Sequence, residues 1–222
     1  MAGKLIVLEG IDGSGKSTQF RLLTERLERE GVPFRHVTFP RYSESSSALL
    51  RSYLGGEFGS RPEDVSAYAA STFFFVDRFA SYKTDWGKYY ENGGLILCDR
   101  YTTSNAIHQG AKLPYDEQTT FFDWLYDFEF RLMELPAPDV VLYMDINLDT
   151  CMKQMRLRQQ KTNTIGDIHE VNPDYLAACL KTGSAAADKL GWQKIACISG
   201  GSMRSIDSLH EEIYSIVEGV IK

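Results

Sequence analysis

The stretch Gly10-Ile11-Asp12-Gly13-Ser14-Gly15-Lys16-Ser17 decides how this chain is read. It has the spacing of a complete phosphate-binding loop (P-loop), follows the apolar run Leu5-Ile6-Val7-Leu8 and opens onto a helical pattern. Its glycines let backbone N–H groups converge on an anion with no Cβ in the way. The helix starting near Lys16 adds free N–H groups and the positive end of its dipole. Lys16 is placed for the outer phosphates of a nucleoside triphosphate, and Ser17 for a Mg²⁺ ion; Thr18 completes the segment. The alternative, a glycine-rich turn that matches by chance, does not explain the strand and helix on either side.

Composition narrows the partners. With 222 residues, 43% apolar and 24% charged, the chain suits one soluble α/β domain spanning 1–222. A net charge of −6 argues against nucleic acid, which calls for a basic face. Cys98, Cys151, Cys179 and Cys197 form no Cys-x-x-Cys pair, and Cys98 and Cys197 lie in apolar runs, as buried thiols of a reducing cytoplasm do. No secretory leader and no apolar stretch of membrane length is present, so a cytoplasmic protein without a membrane partner is expected.

Apolar runs at 4–9, 34–39, 94–98, 139–144 and 194–198 alternate with helical patterns at 16–30, 45–54, 63–91, 114–134, 148–161, 172–190 and 205–221. This alternation predicts an α/β P-loop kinase fold: a five-stranded parallel sheet flanked by helices on both faces. The dinucleotide fingerprint Gly-x-Gly-x-x-Gly with a downstream acid is absent. The polar stretch Gln159 to Pro173 reads either as a solvated loop or as a short lid, placed at about 156–170.

Leu95-Ile96-Leu97-Cys98-Asp99 is a buried strand ending in a carboxylate, where P-loop proteins hold the Mg²⁺ shell, and Arg100 follows at the same strand end. The second strand ends in Phe39-Pro40-Arg41-Tyr42, with no acid until Glu44. Phosphorylating a sugar hydroxyl benefits from a carboxylate base. A phosphate monoester is largely dianionic at neutral pH and needs none, only cations that offset repulsion between two anions. Arginines without a base point to a nucleotide acceptor rather than a nucleoside.

Within the pattern 63–91, Val65, Tyr68, Ala69, Thr72, Val76 and Phe79 fall within about 60° of one line and are expected to face the core. Phe74 and Arg78 lie one turn apart on the opposite side. Spacing alone leaves two readings open: a base-stacking aromatic with an edge-bonding cation, or a packing contact with a solvated arginine.

With these pieces in place, the chain closely resembles the thymidylate (dTMP) kinases, almost end to end. The resemblance rests on Phe39-Pro40-Arg41-Tyr42-Ser43, Phe74 to Arg78, Asp99-Arg100-Tyr101-Thr102-Thr103-Ser104-Asn105 and Pro138 to Asp145. It implies transfer of the ATP γ-phosphoryl group to dTMP, with Mg²⁺ held through Ser17 and Asp99, and a homodimer. It implies that Phe39, Tyr42 and Arg100 hold the dTMP phosphate, that Arg41 lies beside the transferred group, and that Asp12 meets the sugar 3′-hydroxyl or the metal shell. Phe74 would stack on thymine, Arg78 would donate to its O4, and Asn105 would read the N3 edge, with Ser104 and His108 completing the dTMP site. Lys16, Arg41, Arg100 and Asp12 are the expected catalytic set.

Two positions depart from that pattern. Some family members carry an arginine inside the P-loop where this chain has Gly13; the expected substitutes are Arg156, Arg158 and Lys161 of the lid. His108 stands where relatives often place a tyrosine against the sugar, and His169 at another tyrosine position. The competing readings are a kinase for another nucleoside monophosphate, a deoxynucleoside kinase, and a catalytically weak nucleotide-binding protein.

Overall fold

The computed structural model describes residues 2–162 and 173–222, with side chains except those of 158–162. Five strands form one parallel sheet: β1 (Lys4–Glu9), β2 (Phe34–Thr38), β3 (Leu95–Asp99), β4 (Val140–Asp145) and β5 (Gln193–Ala196), in the order β2-β3-β1-β4-β5. Val7 of the central strand pairs with Cys98 on one side and Val141 on the other. Every residue from Leu5 to Glu9 is buried. A parallel strand covered on both faces has no solvent side, which is why β1 reads as a continuous apolar run.

Helix α1 (Lys16–Arg29) packs on α9 (Ile206–Ile221), while α5 (Thr102–His108), α6 (Tyr115–Tyr126) and α8 (Pro173–Leu190) pack on one another. Short α2 (Ala48–Leu54) leans on α3 (Ala67–Ser81), and α7 (Leu148–Thr162) follows β4. A two-stranded hairpin, β6 (Ile198–Ser199) with β7 (Ser202–Met203), precedes α9. Leu8 and Asp99 are register partners, so β1 and β3 end side by side. Ligands of open α/β sheets bind at such carboxyl edges. All four cysteines are free and buried, and no described helix is long and apolar enough to cross a membrane.

Strand and helix positions follow the sequence reading within a residue or two, with three differences. The pattern at 63–91 is not one helix: α3 passes into a wider π-helical stretch, Tyr82–Trp86, and then α4 (Gly87–Glu91). The face of α3 expected in the core lies outward, with Tyr68 39% and Val76 47% exposed. Ala67, Ala70, Ser71, Asp77, Arg78 and Ser81 are buried instead. Periodicity reports that a helix has an apolar side, not what that side meets. Helix α5 and the β6–β7 hairpin were not expected at all; α5 buries Thr102, Thr103, Asn105 and His108 alongside Ala106 and Ile107, so it has no apolar stripe to read.

Candidate active site

The donor half is one continuous piece of chain between β1 and α1. Gly15 caps α1 in the left-handed region at φ 87°. Gly13 is also left-handed, at φ 81°, and a Cβ there would sit 2.6 Å from the Cys151 carbonyl oxygen. Helix α7 thus lies against the loop, and the Cys151 thiol donates to the Asp12 carbonyl at 3.0 Å. A side chain at position 13 would require α7 to shift away from the loop. Residues Ile11 to Thr18, with Gln154 and Leu157 of α7, line an open cleft of about 920 Å³. Lys16 Nζ donates to the Asp99 carboxylate across the β1–β3 junction. Burial, then the nearby Arg100 charge, lower the Lys16 pKa, with Asp99 opposing both.

A second cleft opens beside it. The ends of β1 and β3 supply Asp12 and Arg100; the chain after β2 supplies Phe39 and Tyr42; α3 supplies Phe74 and Arg78; α5 supplies Ser104, Asn105 and His108, and Gln109 follows it. Arg100 adopts φ 66°, a left-handed conformation that costs a non-glycine residue of order 1–2 kcal/mol. Such strain at a cleft wall marks a functional position. Its guanidinium donates to Asp12 at 3.0 Å and lies 3.6 Å from Glu9. Burial works against its charge, but the carboxylates of Asp12, Glu9 and Asp99 prevail and raise its pKa.

Arg78 is buried and paired through Nε and Nη2 with the carboxylate of Glu129, from the π-helical continuation of α6, Asp127–Leu132. Thr102 donates to the same carboxylate at 2.6 Å. The Asn105 amide donates to the Ser71 carbonyl at 3.2 Å, which leaves its oxygen as an acceptor in the cleft. Gln109 is wholly buried, and neither atom of its amide has a hydrogen-bond partner among the described residues. Buried polar groups are nearly always bonded, so this amide stands out among the residues that line the cleft.

The family model for thymidylate kinase matches residues 8–179. The chain belongs to the thymidylate kinase family. It is 31% identical to the thymidylate kinase of Mycobacterium tuberculosis over 71% of this chain and 72% of that protein. It is 28% identical to the human thymidylate kinase over 99% of this chain and 92% of the human one. The solved structure of thymidylate kinase from Candida albicans covers 98% of this chain and 92% of that one, at a TM-score of 0.71 and 22% identity, a likeness of fold.

Within this thymidylate kinase fold, one expected catalytic residue stands apart. Arg41 does not line either cleft: its Nε donates to Asp77 at 3.2 Å and its Nη2 to Ser46 at 3.1 Å, while its backbone N–H donates to Asp77 at 2.8 Å. Asp77 is buried, so Arg41 ties the chain after β2 to α3. Of the expected lid, Arg156 is exposed on α7. The side chains of Arg158 and Lys161, and all of His169, lie outside the described residues.

Reading the sequence missed Glu9, Asp77, Glu129 and Gln109. Glu9 is fully buried and accepts from Thr103 and Ser104 at 2.7 Å each and from the Gly10 N–H at 2.8 Å. A carboxylate closing an apolar strand singled out Asp99, and the same signal was present at Glu9. Gln109 shares the helical i, i+4 spacing of Asn105, a signal visible only once α5 is known. Asp77 and Glu129 carry no local signal.

Proposed function

We propose that the chain transfers the γ-phosphoryl group of ATP to the phosphate of dTMP, giving dTDP and ADP. The observation that carries this reading is the acceptor cleft, where a phosphate-binding cation and imide-reading amides meet one aromatic face. Arg100 receives the dTMP phosphate, with Tyr42 and Phe39 beside it. Phe74 stacks on the base; its other side is braced by the Tyr53 ring, edge-on at 6.2 Å. The Arg78 Nη1 group donates to O4. The Asn105 oxygen accepts the N3–H of thymine, which cytosine lacks, and the Gln109 amide pairs with the same edge.

Lys16 sits at the P-loop and stabilises charge on the transferring group, while the loop N–H groups hold the β-phosphate. No base is required, because the attacking oxygen belongs to a phosphate that is already ionised. Ser17 and Asp99 offer hard oxygen donors at the P-loop mouth, too few for a protein-made cage and suited to a Mg²⁺ ion that arrives with the triphosphate. Ser17 and Asp99 would hold that ion, which would offset the charge of the phosphates. Asp12 holds Arg100 and borders the sugar. Of the three lid cations expected to reach ATP, Arg156 is the one whose side chain is described.

The outward side of α3 supports a homodimer. Tyr68 and Val76 are exposed there, and Tyr68 joins Trp124 and Phe128 in an aromatic belt with centroids 4.6 and 5.3 Å apart. Phe75 extends it, 4.9 Å from Phe128. An apolar belt of this kind suits a second copy of the chain. Free buried thiols suit a cytoplasmic enzyme.

Coupled ADP release across the nucleoside monophosphates and thymidine tests the reading. dTMP and dUMP are expected to be used well, dCMP poorly and thymidine not at all. Comparable turnover with thymidine moves the chain to the nucleoside kinases, and a preference for another monophosphate moves it to that kinase class.

A further inference from the structure

Behind the acceptor cleft stands a line of side chains that phosphoryl transfer does not itself require. His108 closes α5 and is 8% exposed. Its Nε2 lies 3.4 Å from Arg100 Nη1, and its Nδ1 lies 3.6 Å from Cys179 Sγ. Its backbone carbonyl accepts from the Tyr175 hydroxyl at 2.5 Å. Tyr175 and Cys179 are four residues apart on α8 and both buried, so a single face of that helix grips both the backbone and the ring of one residue.

The donor and acceptor chemistry fixes the protons. A guanidinium has only donors, so the ring nitrogen facing Arg100 must be the bare one. The ring proton then sits on Nδ1 and is donated to the Cys179 sulfur. An imidazolium would place a second cation against Arg100. The charged groups acting on His108 are Arg100, Asp12, Lys16 and Lys112; burial first, then Arg100, press its pKa down to about 3. The ring is therefore neutral at any ordinary working pH.

We infer that Cys179 and Tyr175 are positioning residues of the acceptor site: they hold His108 as the neutral Nδ1–H imidazole whose Nε2 accepts from Arg100 and sets the guanidinium for the incoming phosphate. Asp12, Glu9 and Ser104 hold that guanidinium from the β1 and α5 sides. His108 adds a neutral acceptor that aims it without cancelling its charge. Arg100 thus keeps its attraction for an anion although it lies among carboxylates. The inference rests on the cleft being the phosphate acceptor site.

The first test needs no substrate. Two-bond ¹H–¹⁵N spectra of the full-length protein labelled in histidine, with His108 assigned through His108→Gln, are expected to show the Nδ1–H tautomer, unchanged between about pH 5 and 8. An Nε2–H tautomer, or a midpoint near the ordinary value of about 6.5, overturns the inference whatever the enzyme phosphorylates. In steady-state kinetics, Cys179→Ala is expected to raise the KM for dTMP about fivefold, the scale of one hydrogen bond, with the KM for ATP unchanged. Cys179→Ser, which keeps an acceptor at that place, is expected to restore it, and Tyr175→Phe to shift the same constant. If Cys179→Ala moves both substrates' constants together, or the serine variant folds yet fails to restore dTMP use, the thiol only fills space and the inference falls.

Discussion

The donor and acceptor halves of the site meet at Asp12, Asp99 and Arg100, yet they are built in opposite ways. The P-loop is one run of chain that recognises an anion chiefly through its backbone, so its requirements are spacing, glycine and a helix start. The acceptor cleft gathers side chains from β1, β3, α3, α5 and the chain after β2. Three of its polar side chains are aimed by other residues: Arg78 by Glu129, Arg100 by Asp12 and Glu9, Asn105 by the Ser71 carbonyl. One half therefore depends on local conformation, and the other on partners brought in from distant parts of the chain.

The largest effect is expected at such a partner. Glu129 is fully buried and holds both Arg78 and Thr102. Removing one member of a buried ion pair strands the other charge, at about 3–5 kcal/mol. Glu129→Ala is expected to lose that much in chemical or thermal unfolding, and Arg78→Met in the same chain to recover part of it. A loss under about 1 kcal/mol would erase the contrast, since that is the scale of an exposed pair. Lys16→Ala makes the opposite case. Its charge serves the reaction, so turnover is expected to fall at least about 100-fold, as when one stabilising donor is removed, while the unfolding midpoint falls less than in Glu129→Ala because Asp99 keeps the Arg100 charge nearby. A folded Lys16→Ala protein with normal turnover would show that the loop is not the donor site.

The same contrast explains what the sequence discloses. Residues Leu5 to Ser17 sit together in the chain, and Asp99-Arg100 ends an unbroken apolar run, so the strands, the loop and the acid at the end of β3 can all be read directly. Arg78 and Glu129 are 51 residues apart and nothing local links them. The apolar stripe of α3 is evident, but hydrophobic spacing cannot tell a protein core from an exposed face, and the stripe lies outward. The pairing of Arg41 with the buried Asp77 carboxylate, 36 residues away, is likewise without a local signal. Helix α5 escapes notice because the side that faces the cleft is polar, which removes the periodicity that marks a helix.

Local conformation at the donor half can be separated from contact. Gly13 and Gly191 have similar left-handed backbones, at φ 81° and φ 72°, but only Gly13 has a neighbour against its missing Cβ. Gly191→Ala therefore measures the backbone penalty alone, about 1–2 kcal/mol. Gly13→Ala carries that penalty plus the displacement of α7 from the loop, and is expected to destabilise more and to raise the KM for ATP. Equal losses in the two variants, measured by urea unfolding, would mean that α7 yields freely and does not brace the P-loop.

The smallest effect is the one that sharpens the acceptor half most. Gln109 is buried with both amide atoms unpartnered, an arrangement that costs the free protein stability and that a thymine edge would repair. Methionine has nearly the same length and flexibility and no polar atoms to strand. Gln109→Met is thus expected to raise the unfolding temperature of the free enzyme while raising the KM for dTMP about fivefold, the worth of one hydrogen bond, with ATP use unaltered. The opposed signs matter more than the sizes, because a residue that merely packs would lose stability and binding together. If the variant unfolds at a lower temperature than the parent and binds dTMP as well, the Gln109 amide is not a reader of the base, and Asn105 and Arg78 must discriminate alone.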